Sequence, residues 1–202
     1  QTVPASIRLQ ELLDLPAPLT EDEFLARIRA VAAKNKLYRS FIGQGYYDTI
    51  SPAVIIRNIL ENPAWYTSYT PYQAEVSQGR LEALLNYQTM IIELTAMEIT
   101  NCSLLDEATA AAEAMTMMYA LRGKEMKKAG ANKLFVDSKV FPQIKDVLVT
   151  RSAPQGIELV YGDYDTFEFT PEIFGALVQY PAANGAIRDY RAFADRVHAN
   201  GS

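Results

Sequence analysis

Thr70, Tyr72, Gln73, Glu75 and Gln78 crowd into the stretch 67–79, behind Trp65 and Tyr66 and around Tyr69, Pro71 and Gly79. Pro71 locks its own φ and pushes Thr70 toward extended geometry. A rigid aromatic loop that feeds the start of a helix can offer backbone N–H groups and a few polar tips to a ligand. These five residues are therefore candidates to touch a ligand. The same stretch would also serve as a tyrosine-rich packing loop, because Tyr and Trp bury large areas wherever they occur. Gly43, Gly45 and Gly79 are expected to shape the backbone around it. Asn101 and Ser103 flank Cys102 at a second expected helix start, where an anion could bind. Lys139 is the only lysine directly after an expected strand. The one histidine, His198, lies near the end. That excludes a zinc site of His and Cys, and any Ser-His-Asp mechanism placed early in the chain.

The elements that must carry these residues follow from capping and periodicity. Residues 1–18 are irregular, broken by Pro4, Pro16 and Pro18, with apolar residues from Val3 to Leu15 that need a covering surface. Thr20 and Glu23 form a capping box for a helix to about Lys34. Ser51-Pro52 reads as an N-cap followed by Pro at the first helical position, opening a helix over 52–62. A long helix is expected over 77–95, apolar over more than one stripe and hence buried. Ser103 is expected to cap a second long helix over 103–129, ending at a glycine C-cap. Asp106 and Glu107 in its first turn suit the positive helix end. Strands are expected over 133–136, 157–161 and 176–180, with helices over 142–151 and 184–199 between and after them. Strands separated in this way imply an α/β fold with a mostly parallel sheet covered on both faces. Ligands then gather beyond the carboxyl ends of the strands, near Asp137-Ser138-Lys139, Gly162-Asp163-Tyr164 and Pro181–Gly185. The last of these could bind an anion or be plain turn chemistry.

The 202 residues are 49% hydrophobic and carry a net charge of −5. Nucleic acid is an unsuitable partner for such a surface, since phosphate binding needs a basic field. No apolar run approaches the length of a membrane span, and the first residues lack a signal-peptide pattern. A single cysteine, Cys102, fits a reducing compartment. The start at Gln1 without Met, and the end just past a helix, suggest a piece of a longer protein.

Three motifs follow one another at short intervals: Phe41-Ile42-Gly43-Gln44-Gly45-Tyr46-Tyr47-Asp48, then Trp65 through Arg80, then Asn101-Cys102-Ser103-Leu104-Leu105-Asp106-Glu107 and its alanine run to Met115. Together they closely resemble the amino-terminal half of the glycine cleavage system P-protein family, with a dense match from about residue 3 to about residue 185. The resemblance implies a partial large domain of the aspartate aminotransferase-like fold, pyridoxal phosphate fold type I. Residues 1–50 would be an arm and helix, and residues 51–202 part of the large domain. It implies a pyridoxal phosphate enzyme that takes CO2 from glycine and passes the aminomethyl group to the lipoyl arm of the H-protein. The family's Schiff-base lysine sits in a His-Lys dipeptide in the other half; no His-Lys occurs here, so no catalytic residue is expected in this chain. Two carboxylates beside Ser103 would repel the cofactor phosphate, so the cofactor is expected in the full-length protein and not on this piece. Thr70, Tyr72, Gln73 and Glu75, with the Gly43–Asp48 turn, would form this half's share of a cleft between two halves. The implied partners are the carboxyl-terminal half or sister subunit, the lipoylated H-protein and glycine. The implied location is the bacterial cytoplasm, or the mitochondrial matrix in a eukaryote. The competing reading is a non-catalytic dimerisation or scaffold domain that completes another subunit's site.

Overall fold

The computed structural model describes residues 2–68 and 73–201, and Thr70 and Tyr72 of the expected cleft lie outside them. The chain divides into two units, the first ending at Phe41 and the second beginning at Ile42. The first holds a short 3-10 turn, Ala5–Ile7, and the helix α1 (Glu21–Ala32). Its capping box forms as expected: the Glu23 N–H donates to Thr20 Oγ1 at 3.3 Å and the Thr20 N–H donates to Glu23 Oε2 at 2.8 Å. These bonds satisfy two of the donors that every helix start leaves open. Phe24, Leu25, Ile28 and Val31 line up on α1, yet all four are exposed.

The second unit opens with the Gly43–Tyr46 turn, held in left-handed geometry at Gly43, Gln44 and Gly45. Helix α2 (Ala53–Ile55) runs straight into a π-helical turn, Ile56–Leu60. Its N-cap is Pro52 and not Ser51, and no side chain caps it. Helix α3 (Gln78–Thr95) has the expected bounds. It is not a buried helix in this chain: Gly79 is its one buried residue, and Leu85, Met90 and Leu94 are exposed.

The helix expected over 103–129 is two helices, α4 (Glu107–Leu121) and α5 (Lys124–Lys128). Arg122 makes the break. Its backbone is extended, its Nε donates to Tyr119 O at 2.6 Å, its Nη1 reaches Ala131 O, and its guanidinium stacks 3.4 Å from the Tyr119 ring centre. Ser103 does not cap α4; it sits at φ 67°, and Asp106 is the cap, accepting from the Thr109 N–H at 2.6 Å.

Strands β1 (Lys133–Asp137), β2 (Glu158–Gly162) and β3 (Ile173–Leu177) form a parallel sheet in the order β2-β1-β3. Helix α6 (Pro142–Ser152) makes the crossover from β1 to β2. The strand expected over 176–180 begins three residues earlier. Among the described residues it pairs only with β1, in a ladder that starts with β1 at Lys133↔Ile173 and ends at Val136↔Leu177. The helix expected over 184–199 is the shorter α7 (Arg191–Ala199).

One face of the sheet packs on α4 and α6. Ala108, Ala112 and Met115 of α4 meet Leu134 and Val136 of β1 and Ile144 and Leu148 of α6. The small alanines let α4 approach, and Gly175 of β3 helps: a Cβ there would stand 3.0 Å from the Met118 sulfur. The other face is covered by α7 and by the loop between β2 and β3, which crosses the sheet without a helix. Phe135 of β1, fully buried, contacts the rings of Phe167, Phe169 and Phe193 at centroid distances of 4.1, 6.0 and 5.8 Å. Each such ring buries a large apolar area, so this cluster is the second half of the core.

Candidate functional site

The carboxyl ends of the three strands converge on a small pocket of about 110 Å³ lined by Asp137, Lys139, Asp163, Asn184, Arg188 and Tyr190, among others. Asp137 ends β1 and is 1% exposed. Its Oδ1 accepts from the Lys139 N–H at 3.2 Å, and its Oδ2 has no hydrogen-bond partner among the described residues. Tyr190 reaches the pocket from the start of α7, with its hydroxyl donating to Gln179 O at 3.1 Å. Burial pushes the Tyr190 phenol pKa up, and the Asp137 charge adds to the rise. Beside the pocket, a side-chain hydrogen bond from Arg191 holds the exposed Asp189 carboxyl down at about 2.

Asn101 and Ser103 lie together in a different and larger cavity, about 730 Å³, with Arg80, Tyr87, Asp106 and Glu107. Cys102 also lines it and is a free thiol. The Thr109 backbone N–H, with smaller help from its side chain, holds the Asp106 carboxyl below the usual range.

The loop residues fall elsewhere. Gln73, Glu75 and Gln78 are exposed, and none of them lines either cavity. Glu75 sits in a short 3-10 turn, Ala74–Val76, that leads into α3. Gly79, in the first turn of α3, is buried against the chain before the loop: a Cβ there would lie 1.9 Å from Ala64 O. The neighbouring Arg80 N–H donates to Thr67 Oγ1 at 2.9 Å. The α3 start is thereby fastened to residues 64–67 on the far side of the loop. Gly43 stands in open space, whereas Gly45 packs on α6's cap: its Cβ would meet the Phe141 ring at 2.9 Å. Gln143 Nε2 donates to Gln44 O at 2.9 Å. This turn borders a third cavity, about 550 Å³, with Tyr46, Tyr47, Phe141 and Gln179. The structure thus brings Asn101 and Ser103 together, brings the Gly43–Gly45 turn to the α6 start, and joins neither to Gln73, Glu75 and Gln78.

Sequence reasoning passed over Asp137 and Arg188 as a pair. Asp137 was visible as the first residue after an expected strand; Arg188 was hidden inside an expected helix that starts only at Arg191.

Could these residues hold pyridoxal phosphate? A phosphate needs free N–H groups and a positive field at a helix start. At α4 the Asp106 carboxylate already takes the Thr109 N–H, and Glu107 follows it. A dianion placed there meets two carboxylates. The strand-end pocket is no better: its volume is far below the roughly 300–1,000 Å³ of sites that enclose drug-sized ligands, and Asp137, Asp163 and Asp165 are in its lining. These residues do not fit the cofactor.

The three-stranded parallel sheet, with α4 and α6 on one face, α7 on the other and a pocket at its strand ends, is in keeping with a partial large domain of the aspartate aminotransferase-like class, pyridoxal phosphate fold type I. The profile of the glycine cleavage system P-protein family matches residues 1–202, and the chain belongs to that family. It is 61% identical over 198 residues to a glycine dehydrogenase (decarboxylating) of Bacteroides thetaiotaomicron, covering 98% of this chain and 21% of that protein. It is 59% identical over 202 residues to the protein of the same description from Nostoc sp., covering 100% of this chain and 20% of that one. A solved structure of a glycine decarboxylase (P-protein) of the glycine cleavage system, in inhibitor-bound form, is similar with a TM-score of 0.76 and 33% identity. The match covers 99% of this chain and 45% of that one. The chain therefore spans about a fifth of the length of its curated relatives.

Proposed function

We propose that this chain is a non-lysine portion of a pyridoxal phosphate-dependent glycine dehydrogenase (decarboxylating). The whole protein would convert glycine and the lipoylated H-protein to aminomethyl-lipoyl H-protein and CO2. One observation carries the reading: the α4 start is sealed by the protein's own Asp106 carboxylate. Cofactor and Schiff-base lysine would then belong to the rest of the longer protein, its carboxyl-terminal half or a sister subunit.

What this portion supplies is surface. Residues 51–202 give the partial large domain, and residues 1–50 an arm. Every described residue from 2 to 60 is exposed, Leu12 and Leu37 at 98% each. Apolar area of that extent is the mark of an interaction surface, and the remaining four-fifths of the protein is its cover in this reading. Thr70, Tyr72, Gln73, Glu75 and Gln78 are offered to glycine or to the lipoyl arm across the cleft. Glu75 suits the task because a carboxylate oxygen can accept a hydrogen bond from an amine. The bacterial cytoplasm, or a mitochondrial matrix, is the proposed compartment. Among the described residues no helix is long and apolar enough to cross a membrane.

The test has two arms in the full-length protein. Lys139→Ala is expected to keep the visible absorbance of lysine-bound cofactor, and losing that absorbance would place the cofactor on this portion. Glu75→Gln is expected to lower the rate of glycine decarboxylation about tenfold or more, within the range by which positioned acid-base groups act; an unchanged rate removes Glu75 from the cleft.

A further inference from the structure

The two stems of the 67–79 loop are tied to each other. The Ser68 N–H donates to Val76 O at 3.4 Å, and the Arg80 N–H donates to Thr67 Oγ1 at 2.9 Å. The first is long for an N–H···O bond and the second is at the common distance, so Thr67 makes the stronger tie. The incoming stem is braced in turn by Asn62. Its carbonyl accepts from the Trp65 and Tyr66 N–H groups at 2.9 and 3.2 Å, and its Oδ1 accepts from the Ala64 N–H at 3.0 Å. Its Nδ2 donates to Asn58 O at 3.2 Å, within the π-helical turn Ile56–Leu60.

The Thr67 bond has a second meaning. Arg80 is the third residue of α3, and a helix start leaves such N–H groups open for an N-cap side chain. The N-cap residue, Ser77, makes no side-chain cap bond. Thr67 supplies the accepting oxygen from thirteen residues away. A cap from Ser77 would fix α3 alone; the cap from Thr67 fixes α3 and the opposite stem together. Glu75 stands on this joint, in the middle of the 3-10 turn Ala74–Val76. The Val76 N–H donates to Gln73 O and the Ser77 N–H to Ala74 O, both at 3.2 Å, and Ser77 is fully buried. Glu75 itself is exposed and makes no ion pair among the described residues. Its carboxylate therefore takes its position from the backbone beneath it.

We propose that Thr67 is a positioning residue for the glycine reaction: by capping α3 from across the loop, its hydroxyl holds the turn that presents Glu75. The inference rests on the reading that Glu75 faces glycine or the lipoyl arm. Position matters to rate because a displacement of about 1 Å at a reacting group can cost about a hundredfold.

The experiment uses variants of the full-length protein, assayed for glycine decarboxylation with the lipoylated H-protein. Thr67→Val keeps the branched shape and removes the accepting oxygen. It is expected to lower kcat/KM for glycine about tenfold, toward the value of Glu75→Gln. Its melting temperature is expected to fall by no more than about 4 °C, and the Arg80 amide to lose its protection from hydrogen exchange. Thr67→Ser keeps the oxygen and is expected to recover most of the rate and of the protection. The double variant Thr67→Val with Glu75→Gln is expected to lose little more than Glu75→Gln alone, since groups acting at one position are not additive. A full rate in Thr67→Val overturns the inference. So does a Thr67→Ser variant as slow as Thr67→Val, a double variant whose losses simply add, or a loss of rate accompanied by a larger fall in melting temperature. Glu75→Gln at full rate removes the reading beneath and the inference with it, whereas a slow Glu75→Gln beside a normal Thr67→Val removes the inference alone.

Discussion

Replacing Gly79 by Ala sets two effects of known size against each other. Alanine is the better helix former, by about 1 kcal/mol in a helix interior. The added Cβ, however, would stand 1.9 Å from Ala64 O, 2.9 Å from Ala64 C and 3.1 Å from Thr67 Cγ2. The first two are backbone atoms, so no side chain can swing aside. Real Cβ atoms essentially never come closer than 3.0 Å, and 3.0 − 1.9 gives 1.1 Å as the least separation that must open. Opening it pulls residues 64–67 off the α3 start and puts the Arg80 N–H to Thr67 Oγ1 bond at risk. Overpacking of this kind costs about 1–3 kcal/mol, occasionally more, and the hydrogen bond about 1 kcal/mol. Set against the helix gain, the net is a loss of about 2 kcal/mol. For a chain of this size that is roughly 4–8 °C in melting temperature. Urea denaturation, comparing midpoints at constant slope, reads the change directly. A midpoint unchanged or raised would falsify the close approach and leave only the propensity term.

The other predictions concern the core and the α4 start. Phe135→Ala removes the ring on which Phe167, Phe169 and Phe193 meet. It is expected to cost about 3–5 kcal/mol, so a loss below about 1 kcal/mol in urea denaturation contradicts the buried cluster. Asp106 has a folded pKa below its ordinary value, so its contribution is full above the unfolded carboxylate pKa and drains away as pH falls through the folded one. The protection of the Thr109 amide, its exchange rate set against that of a free amide at the same pH, is therefore expected to fall as acid is added below about pH 4, and Asp106→Ala should show low protection at every pH. Exchange at Thr109 that ignores both would mean the cap contributes nothing.

Much of the fold could be read from the sequence where local chemistry and packing agree. The capping box at Thr20 and Glu23, the bounds of α3, and the alternation of β1, α6 and β2 all came from residues whose neighbours in the chain decide their state. The failures share a cause. Ser103 and Asp106 are both good caps, and the choice fell to the one whose carboxylate finds the Thr109 N–H. The break after Leu121 was masked by helix formers on both sides. It depends on Arg122 reaching Tyr119 and Ala131, the latter nine residues on. The start of β3 was set by the length of its neighbour β1, which no window of local sequence contains. α3 reads as a buried helix because its residues are apolar on several sides, yet little within this chain covers it. For the site, the loop polar residues were visible as types. The strand ends that line the small pocket were legible too, at Asp137–Lys139, Asp163-Tyr164 and Ala182–Asn184; Arg188 was not, because it lay inside an expected helix, 51 positions from Asp137.

A surface loop is ordinarily where a chain can be lengthened, or nicked by a protease, at small cost. The connection from β2 to β3 is an exception in kind. It carries Phe167 and Phe169 onto the sheet, its Asp163 carbonyl accepts from the Phe167 N–H at 3.0 Å, and Arg196 of α7 donates to Tyr164 O at 2.5 Å. Cleavage between Asp163 and Glu172 would strip one face of its aromatic cover and free α7 in the same stroke. Insertions engineered into this protein therefore belong elsewhere, and resistance of this segment to limited digestion would report whether that face of the sheet is intact.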